Sequence, residues 1–240
     1  MLSPMQATQT NIDEAERAKF DALADEWWDP DGSLRTLHHI NPVRLQYIEQ
    51  TVNLTHKRVL DVGCGGGLLA EALTKKQAFV TGLDISTSAI AVAESHKRTA
   101  GLDIDYVTVS AEEYAVHNQH QFDVVTCMEL LEHVPDINSL LQACGVMLKP
   151  GGHLFLATIN RTAKSYVSAI IAAEYLLQLL PRGTHDYARF IKPSELHQVL
   201  RQQRFMLVDI AGMTYLPGLN KCAITGDPAV NYIAHAVLGD

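Results

Sequence analysis

The stretch Val59-Leu60-Asp61-Val62-Gly63-Cys64-Gly65-Gly66-Gly67 constrains this chain more than any other, because an apolar run breaks into glycines and continues as the amphipathic segment Leu68 to Lys76. The pattern predicts a strand, a tight turn and a helix. Glycines at such a turn bring the backbone close to a ligand and expose the N–H groups of the helix start, so the segment reads as a nucleotide-type cofactor site. The dinucleotide fingerprint G-x-G-x-x-G requires its third glycine where this chain has Leu68, which argues against an NAD-dependent dehydrogenase.

What remains, Asp61-x-Gly63-x-Gly65-x-Gly67, resembles motif I of the S-adenosylmethionine (SAM) dependent methyltransferases. SAM carries an amino acid, a ribose diol and an adenine but no pyrophosphate, so its site needs acidic groups spaced along a sheet edge. Asp84, closing the apolar run Ala78 to Leu83, is placed for the ribose hydroxyls, and Ala111-Glu112 for the adenine edge.

A chain of 240 residues at 47% hydrophobic buries a large core without staples, which fits one compact domain with additions. The net charge of -8 suits a small-molecule substrate and is a poor match for nucleic acid. Cys64, Cys127, Cys144 and Cys222 show no Cys-x-x-Cys spacing and read as free thiols in a reducing cytoplasm. The N-terminal stretch has neither an apolar h-region nor an Arg-rich amphipathic pattern, so the expected location is cytoplasmic.

Residues 1–56 are expected to form an N-terminal helical cap, with 1–10 mobile, and 57–240 the catalytic domain with an insertion at 161–190. Phe20, Leu23, Ala24, Trp27 and Trp28 fall at helical spacing, stopped by Asp29-Pro30-Asp31-Gly32. This helix roofs the cofactor pocket or simply packs on the domain. From Lys57 the pattern alternates: strand 59–63, helix 67–76, strand 78–84, helix 86–100 between Ser86 and Gly101, strand 104–109, helix 112–118, strand 122–128 and helix 136–148. A turn over Lys149-Pro150-Gly151-Gly152, strand 153–158, helix 193–203, strand 205–211 and a last strand near 229–237 follow. The expectation is an α/β, Rossmann-like, doubly wound sheet of seven strands, with ligands at the strands' carboxyl ends where Gly63, Asp84 and Met128 fall.

The segment Phe122 to Pro135 leaves a strand and enters a short helical turn. Glu129, Glu132 and His133 are spaced i, i+3, i+4, which puts two carboxylates and an imidazole on one face if that turn is helical. Such a set holds a divalent cation, Mg²⁺ before Zn²⁺, or else the glutamates are solvated and His133 caps the turn. His56, His96, His117 and His120 read as surface positions.

At this point the chain resembles the bacterial ubiquinone-biosynthesis O-methyltransferases over nearly its whole length. The resemblance rests on Lys19-Phe20 through Trp27-Trp28-Asp29, Leu37 to Leu45, Val59 to Gly67, Val124 to Pro135, Gly183-Thr184-His185-Asp186 and Phe190-Ile191-Lys192-Pro193. Position 39 is His where the family carries Arg, and the match is loose from Met213 onward. The resemblance implies the class I SAM-dependent methyltransferase fold, with Arg44, Gly63, Gly65, Asp84 and Met128 at SAM, and Glu129, Glu132 and His133 at Mg²⁺. It also implies methyl transfer to phenolic hydroxyls of 2-polyprenyl-6-hydroxyphenol and 3-demethylubiquinol, and partners among other enzymes of that biosynthesis.

Each role has a physical rationale beside a plainer one. Arg44, two residues after Pro42 on a predicted helix, offers a bidentate clamp for the methionine carboxylate, or is an ordinary surface Arg. Met128 packs beside the cofactor or fills core. Glu129 or His133 takes the phenolic proton. The apolar stretch Ser165 to Leu180, flanked by Arg161, Lys164 and Arg182, falls short of the about 20 residues that span a bilayer. It suits a membrane interface with anionic lipid, which would make the protein peripheral at the cytoplasmic face, or else a lid helix or oligomer contact. Two rival functions remain at this level: methylation of a different small acceptor, and a non-catalytic lipid-binding scaffold.

Overall fold

The computed structural model describes residues 11–166, 186–216 and 221–239. Helix α1 (Glu14–Ala22) and a 3-10 turn at Ala24–Glu26 lead to α2 (Arg35–Thr51). Strands and helices then alternate as β1 (Arg58–Val62), α3 (Leu68–Thr74), β2 (Phe79–Asp84), α4 (Thr87–Ala100), β3 (Ile104–Thr108), α5 (Ala111–Ala115) and β4 (Phe122–Met128). Next come a 3-10 turn at Leu131–His133, α6 (Ile137–Met147), β5 (Leu148–Ile159), the single turn α7 (Ala163–Ser165), a 3-10 turn at Tyr187–Arg189, and α8 (Pro193–Gln202). Strands β6 (Phe205–Leu216), β7 (Lys221–Thr225) and β8 (Asn231–Leu238) close the chain's described part.

The described strands form one sheet in the order β3-β2-β1-β4-β5-β8-β6-β7. Strands β1 to β5 pair in parallel, whereas β8 runs antiparallel between β5 and β6, and β7 antiparallel on the far side of β6. Strand order reverses between β1 and β4, which opens a crevice above their carboxyl ends.

Both faces of the sheet are covered, and this is why its central strands are apolar at nearly every position. On one face Leu60, Val125, Leu154 and Leu156 pack with α5, α6 and α8; on the other Val59, Val124, Phe155 and Ile233 pack with α2 and α3. Each fully buried side chain of this kind contributes about 1.5–3 kcal/mol. Helix ends follow local chemistry. Ser86 Oγ accepts the Ala89 N–H at 3.0 Å to start α4, and Gly101 at φ +66° ends it. Asp136 caps α6 by accepting from Asn138 and Ser139.

Three elements and one side chain differ from expectation. Strand β7 is additional to the seven expected strands and pairs with the end of a β6 that is longer than predicted. The expected turn at 149–152 lies inside β5. Pairing there jumps from Phe122↔Leu148 to Val124↔His153, so the extra residues bow out without ending the strand. The helix expected through Trp28 ends at Ala22, where the Leu23 N–H bonds to Phe20 O at 3.1 Å and tightens the chain into the 3-10 turn. His96, read as a surface position, stacks on Trp28 with ring centroids 3.4 Å apart and bonds through Nδ1 to buried Glu71 at 2.6 Å.

Candidate active site

The crevice holds a cavity of about 550 Å³ lined by Arg44, Asp61, Gly63, Asp84, Met128, Glu129, Glu132 and His133, among others. Its floor is the glycine turn. Gly63 and Cys64 both donate to Leu83 O, at 2.8 and 2.9 Å, which ties the turn to the end of β2. Gly65, at φ +52°, donates to Asp84 Oδ2 at 2.9 Å, while Asp84 Oδ1 accepts from Ser86 N at 2.8 Å. Burial raises the Asp84 carboxyl above its ordinary value against those backbone donors. Asp61 beneath it is 2% exposed and accepts from Thr126 Oγ1 at 2.6 Å; burial pushes its pKa up to about 6.

The glycines are shaped by protein as much as by any ligand. A Cβ on Gly65 would lie 1.9 Å from Trp27 Cζ2, and one on Gly63 would lie 2.9 Å from Leu130 Cδ2. Trp27 therefore packs directly on the turn, and Trp28 Nε1 donates to Gly66 O at 2.8 Å. The segment before α2 roofs the site.

Polar ties hold α1 over the same opening. Asp13 pairs with Arg189 Nη2 at 2.7 Å, Glu16 Oε2 with His133 Nδ1 at 2.8 Å, and Asp21 accepts from Ser86 and Ser88. No residue of α1 is fully buried, so these ties fix it together with the half-buried Phe20, which packs against the Trp27 cluster and edge-on to the His133 ring. Asn11, just before α1, donates to Glu112 at 2.8 Å, which gives the expected adenine-edge residue a protein partner.

On the opposite wall, Arg44 is 6% exposed, and its Nη2 pairs with Glu129 Oε1 at 2.9 Å. It is no surface Arg. Its Nε is buried and has no hydrogen-bond partner among the described residues. Met128 ends β4 beside it, 8% exposed, both cavity wall and core.

The three residues expected on one helical face do not share one. Glu129 sits at φ +54°, where the chain reverses after β4, and only Leu131–His133 form a 3-10 turn. Glu129 pairs with the Arg44 guanidinium and lies within hydrogen-bond reach of Glu132, Glu132 accepts from the Thr158 hydroxyl at 2.7 Å, and His133 pairs with the Glu16 carboxylate. Burial, reinforced by the neighbouring Glu129 charge, holds Glu132 well above the ordinary carboxylate range. No group of three His, Cys, Asp or Glu side chains among the described residues is arranged to hold a metal ion. The expected Mg²⁺ ligand set is thus not assembled in this geometry.

The expected lid or membrane segment falls largely on residues 167–185, outside the described residues, as do Gly183, Thr184 and His185. Of its basic flanks, Arg161 is paired with Glu195, and Lys164 with Asp227 at 2.7 Å. Among the described residues no helix is long and apolar enough to cross a membrane.

Of the residues expected at the site, Arg44, Gly63, Asp84, Met128, Glu129, Glu132 and His133 line one cavity, whereas Gly65 does not and is covered by the Trp27 ring. Glu16, Asp21, Thr158 and Asn231 carried no motif signal. Trp27 did, through the Trp pair.

Residues 35–210 match the family described as Methyltransferase domain. The magnesium protoporphyrin IX methyltransferase of Synechocystis PCC 6803, solved with bound SAH, superposes with a TM-score of 0.67 at 18% identity, covering 92% of this chain and 94% of that one. A [4+2]-cyclase, SpnF, superposes with a TM-score of 0.63 at 18% identity over 88% and 84% of the two chains. The architecture is the class I SAM-dependent methyltransferase fold, and the cyclase shows that this fold alone does not fix the reaction. The ubiquinone biosynthesis O-methyltransferase of Azoarcus sp. (strain BH72) is 52% identical over 95% of this chain and 97% of its own length. The chain belongs to the family of ubiquinone biosynthesis O-methyltransferases.

Proposed function

We propose that the chain transfers the methyl group of SAM to a phenolic hydroxyl of polyprenylated rings, namely 2-polyprenyl-6-hydroxyphenol and 3-demethylubiquinol. The observation that carries this reading is one cavity that joins the glycine turn, Asp84 and Arg44 to a second side lined by Ile159, Met213 and Val230 together with Thr214, Tyr215 and Asn231. Donor and acceptor meet there beside Glu129 and His133. Family membership supplies the oxygen acceptor and the biosynthetic setting.

On the donor side, Arg44 and its unpartnered Nε suit the methionine carboxylate. Asp84 keeps lone pairs for the ribose diol, Gly63 and Gly65 hold the backbone close, and Met128 forms an apolar wall. The nucleophile must be a phenolate. A phenol of pKa about 10 is ionised to roughly one part in a thousand at pH 7, a gap of about 4 kcal/mol. Glu129 and His133 are the proton acceptors at hand. Glu16 accepts the Nδ1 proton of His133, which sets the tautomer with its basic lone pair on Nε2. Thr158 fixes Glu132 by donating to Oε2, while burial and the neighbouring Glu129 charge raise the Glu132 pKa against that bond. Positioning of the oxygen in line with the methyl carbon supplies the remaining acceleration.

Mg²⁺ does not fit the Glu129, Glu132 and His133 set as arranged, and the proton transfers above use protein groups alone. The segment 161–182 is read as a contact with anionic lipid at the membrane interface, which would let a polyprenyl substrate enter without leaving the membrane.

The test is transfer of labelled methyl from SAM to a short-chain demethylubiquinol analogue, with and without EDTA. Transfer indifferent to EDTA supports the reading as stated. Loss with EDTA and recovery with Mg²⁺ overturns the protein-only proton transfer. No transfer despite SAM binding overturns the acceptor.

A further inference from the structure

The acceptor side of the cavity contains a polar atom to which the chemistry above assigns nothing. Asn231 opens β8 at the carboxyl edge of the parallel strands, opposite Ile159 on β5 and Met213 on β6. All three line the cavity. Alternation along β8 places Asn231 on the face of Ile233, which packs with Met128, Ala157 and Met213. Its Oδ1 is buried and receives no hydrogen bond from any described residue. The chain leading into it is held firmly: Asn160 Nδ2 donates to Pro228 O at 2.8 Å, and Thr162 Oγ1 to Ala229 O at 2.6 Å. A buried acceptor fixed in place without a donor is destabilising for the protein alone and calls for an explanation.

We propose that Asn231 Oδ1 accepts the O–H of a second, non-reacting hydroxyl on the acceptor ring, and so selects dihydroxy rings over monophenols. The proposal rests on the phenol reading above. An amide oxygen takes no proton, so it stabilises a hydroxyl that stays protonated. The reacting oxygen, which must lose its proton, belongs at the Glu129 and His133 side. Between β4 and β8 lies only β5, two strand spacings or about 10 Å in all. Side chains reaching inward from β4 and β8 can therefore meet the two neighbouring oxygens of a single ring lying over Ile159.

The test measures kcat and KM on the full chain with two acceptors, a short-prenyl catechol and the matching monophenol, for wild type and Asn231→Leu. SAM affinity by calorimetry serves as an independent check that the donor site is intact. Loss of one neutral hydrogen bond should lower the catechol-to-monophenol ratio of kcat/KM roughly three- to tenfold, through the catechol KM. Asn231→Asp, which keeps an acceptor oxygen, should retain the preference. Asn231→Ala replaces the leucine variant if that fails to fold. An unchanged ratio in the leucine or alanine variant, or equal loss of the ratio in the aspartate variant, overturns the contact. Methyl transfer by wild type to neither ring overturns the phenol reading itself.

Discussion

Gly65→Ala tests whether Trp27 is built into the cofactor floor. Gly65 has φ +52°, and a Cβ there would lie 1.9 Å from Trp27 Cζ2 and 2.3 Å from Cη2. An L-residue in the left-handed region costs about 1–2 kcal/mol, and displacing a packed ring adds about 1–3 kcal/mol. The expected loss is about 2–5 kcal/mol, a large part of the about 5–15 kcal/mol that domains possess. Trp27 is 7% exposed, so Trp27→Ala should cost about 3–5 kcal/mol alone. In the double variant the ring that the new methyl group meets is gone, and only the backbone strain of the alanine remains. The double variant should therefore be about 1–3 kcal/mol more stable than the sum of the two losses implies. Urea unfolding followed by circular dichroism on the four proteins gives the coupling. Additivity to within about 0.5 kcal/mol would refute the contact and return the glycine to ligand approach alone.

Two further outcomes follow from the charged groups around the cavity. Arg44→Lys keeps the charge but loses the fork; losing one charge-assisted hydrogen bond of about 1.5–3 kcal/mol should raise the SAM Kd roughly ten- to hundredfold by calorimetry. An unchanged Kd would remove Arg44 from the donor site. Burial holds the Asp61 pKa at about 6, so its contribution to stability is complete below the unfolded value of 3.8 and is lost as pH rises through 6. At 1.36 kcal/mol per unit that loss is about 3 kcal/mol. Asp61→Asn cannot ionise, so wild type should lose about this much relative to the variant between pH 4 and 7, and a pH-independent difference would contradict the assignment.

The elements governed by local chemistry were legible in the residues. Ser86 and Gly101 bracket α4 as their capping roles dictate, and the apolar run ending at Met128 is the central strand β4. What was not legible depended on distant partners. The spacing of Glu129, Glu132 and His133 is helical on paper, but the Glu129 N–H bonds to Ala157 O on the neighbouring strand at 2.9 Å, and the chain turns there at positive φ. The 149–152 turn motif is absorbed because β4 pairs with β5 both before it, at Leu148, and after it, from His153 onward. Glu16 and His133 are 117 positions apart and Asn11 and Glu112 are 101 apart, distances over which no periodicity speaks. Asn231 looked like any polar residue at a strand start, and only a missing donor in three dimensions marks it.

Strand β8 separates β5 from β6, although it is synthesised after both. During translation, then, β6 has no partner on its β5 side, and β5 presents an open apolar edge until residues 231–238 leave the ribosome. Tyr232, Ile233, Ala234 and Ala236 are each at most 1% exposed in the finished sheet, so a strand that emerges after both its neighbours is also among the most deeply enclosed. Non-local pairing of this kind is slow to form and exposes sticky edges while it waits. Yield in the cell should accordingly respond to chaperone supply and to changes within β8 far more than the small number of residues involved suggests.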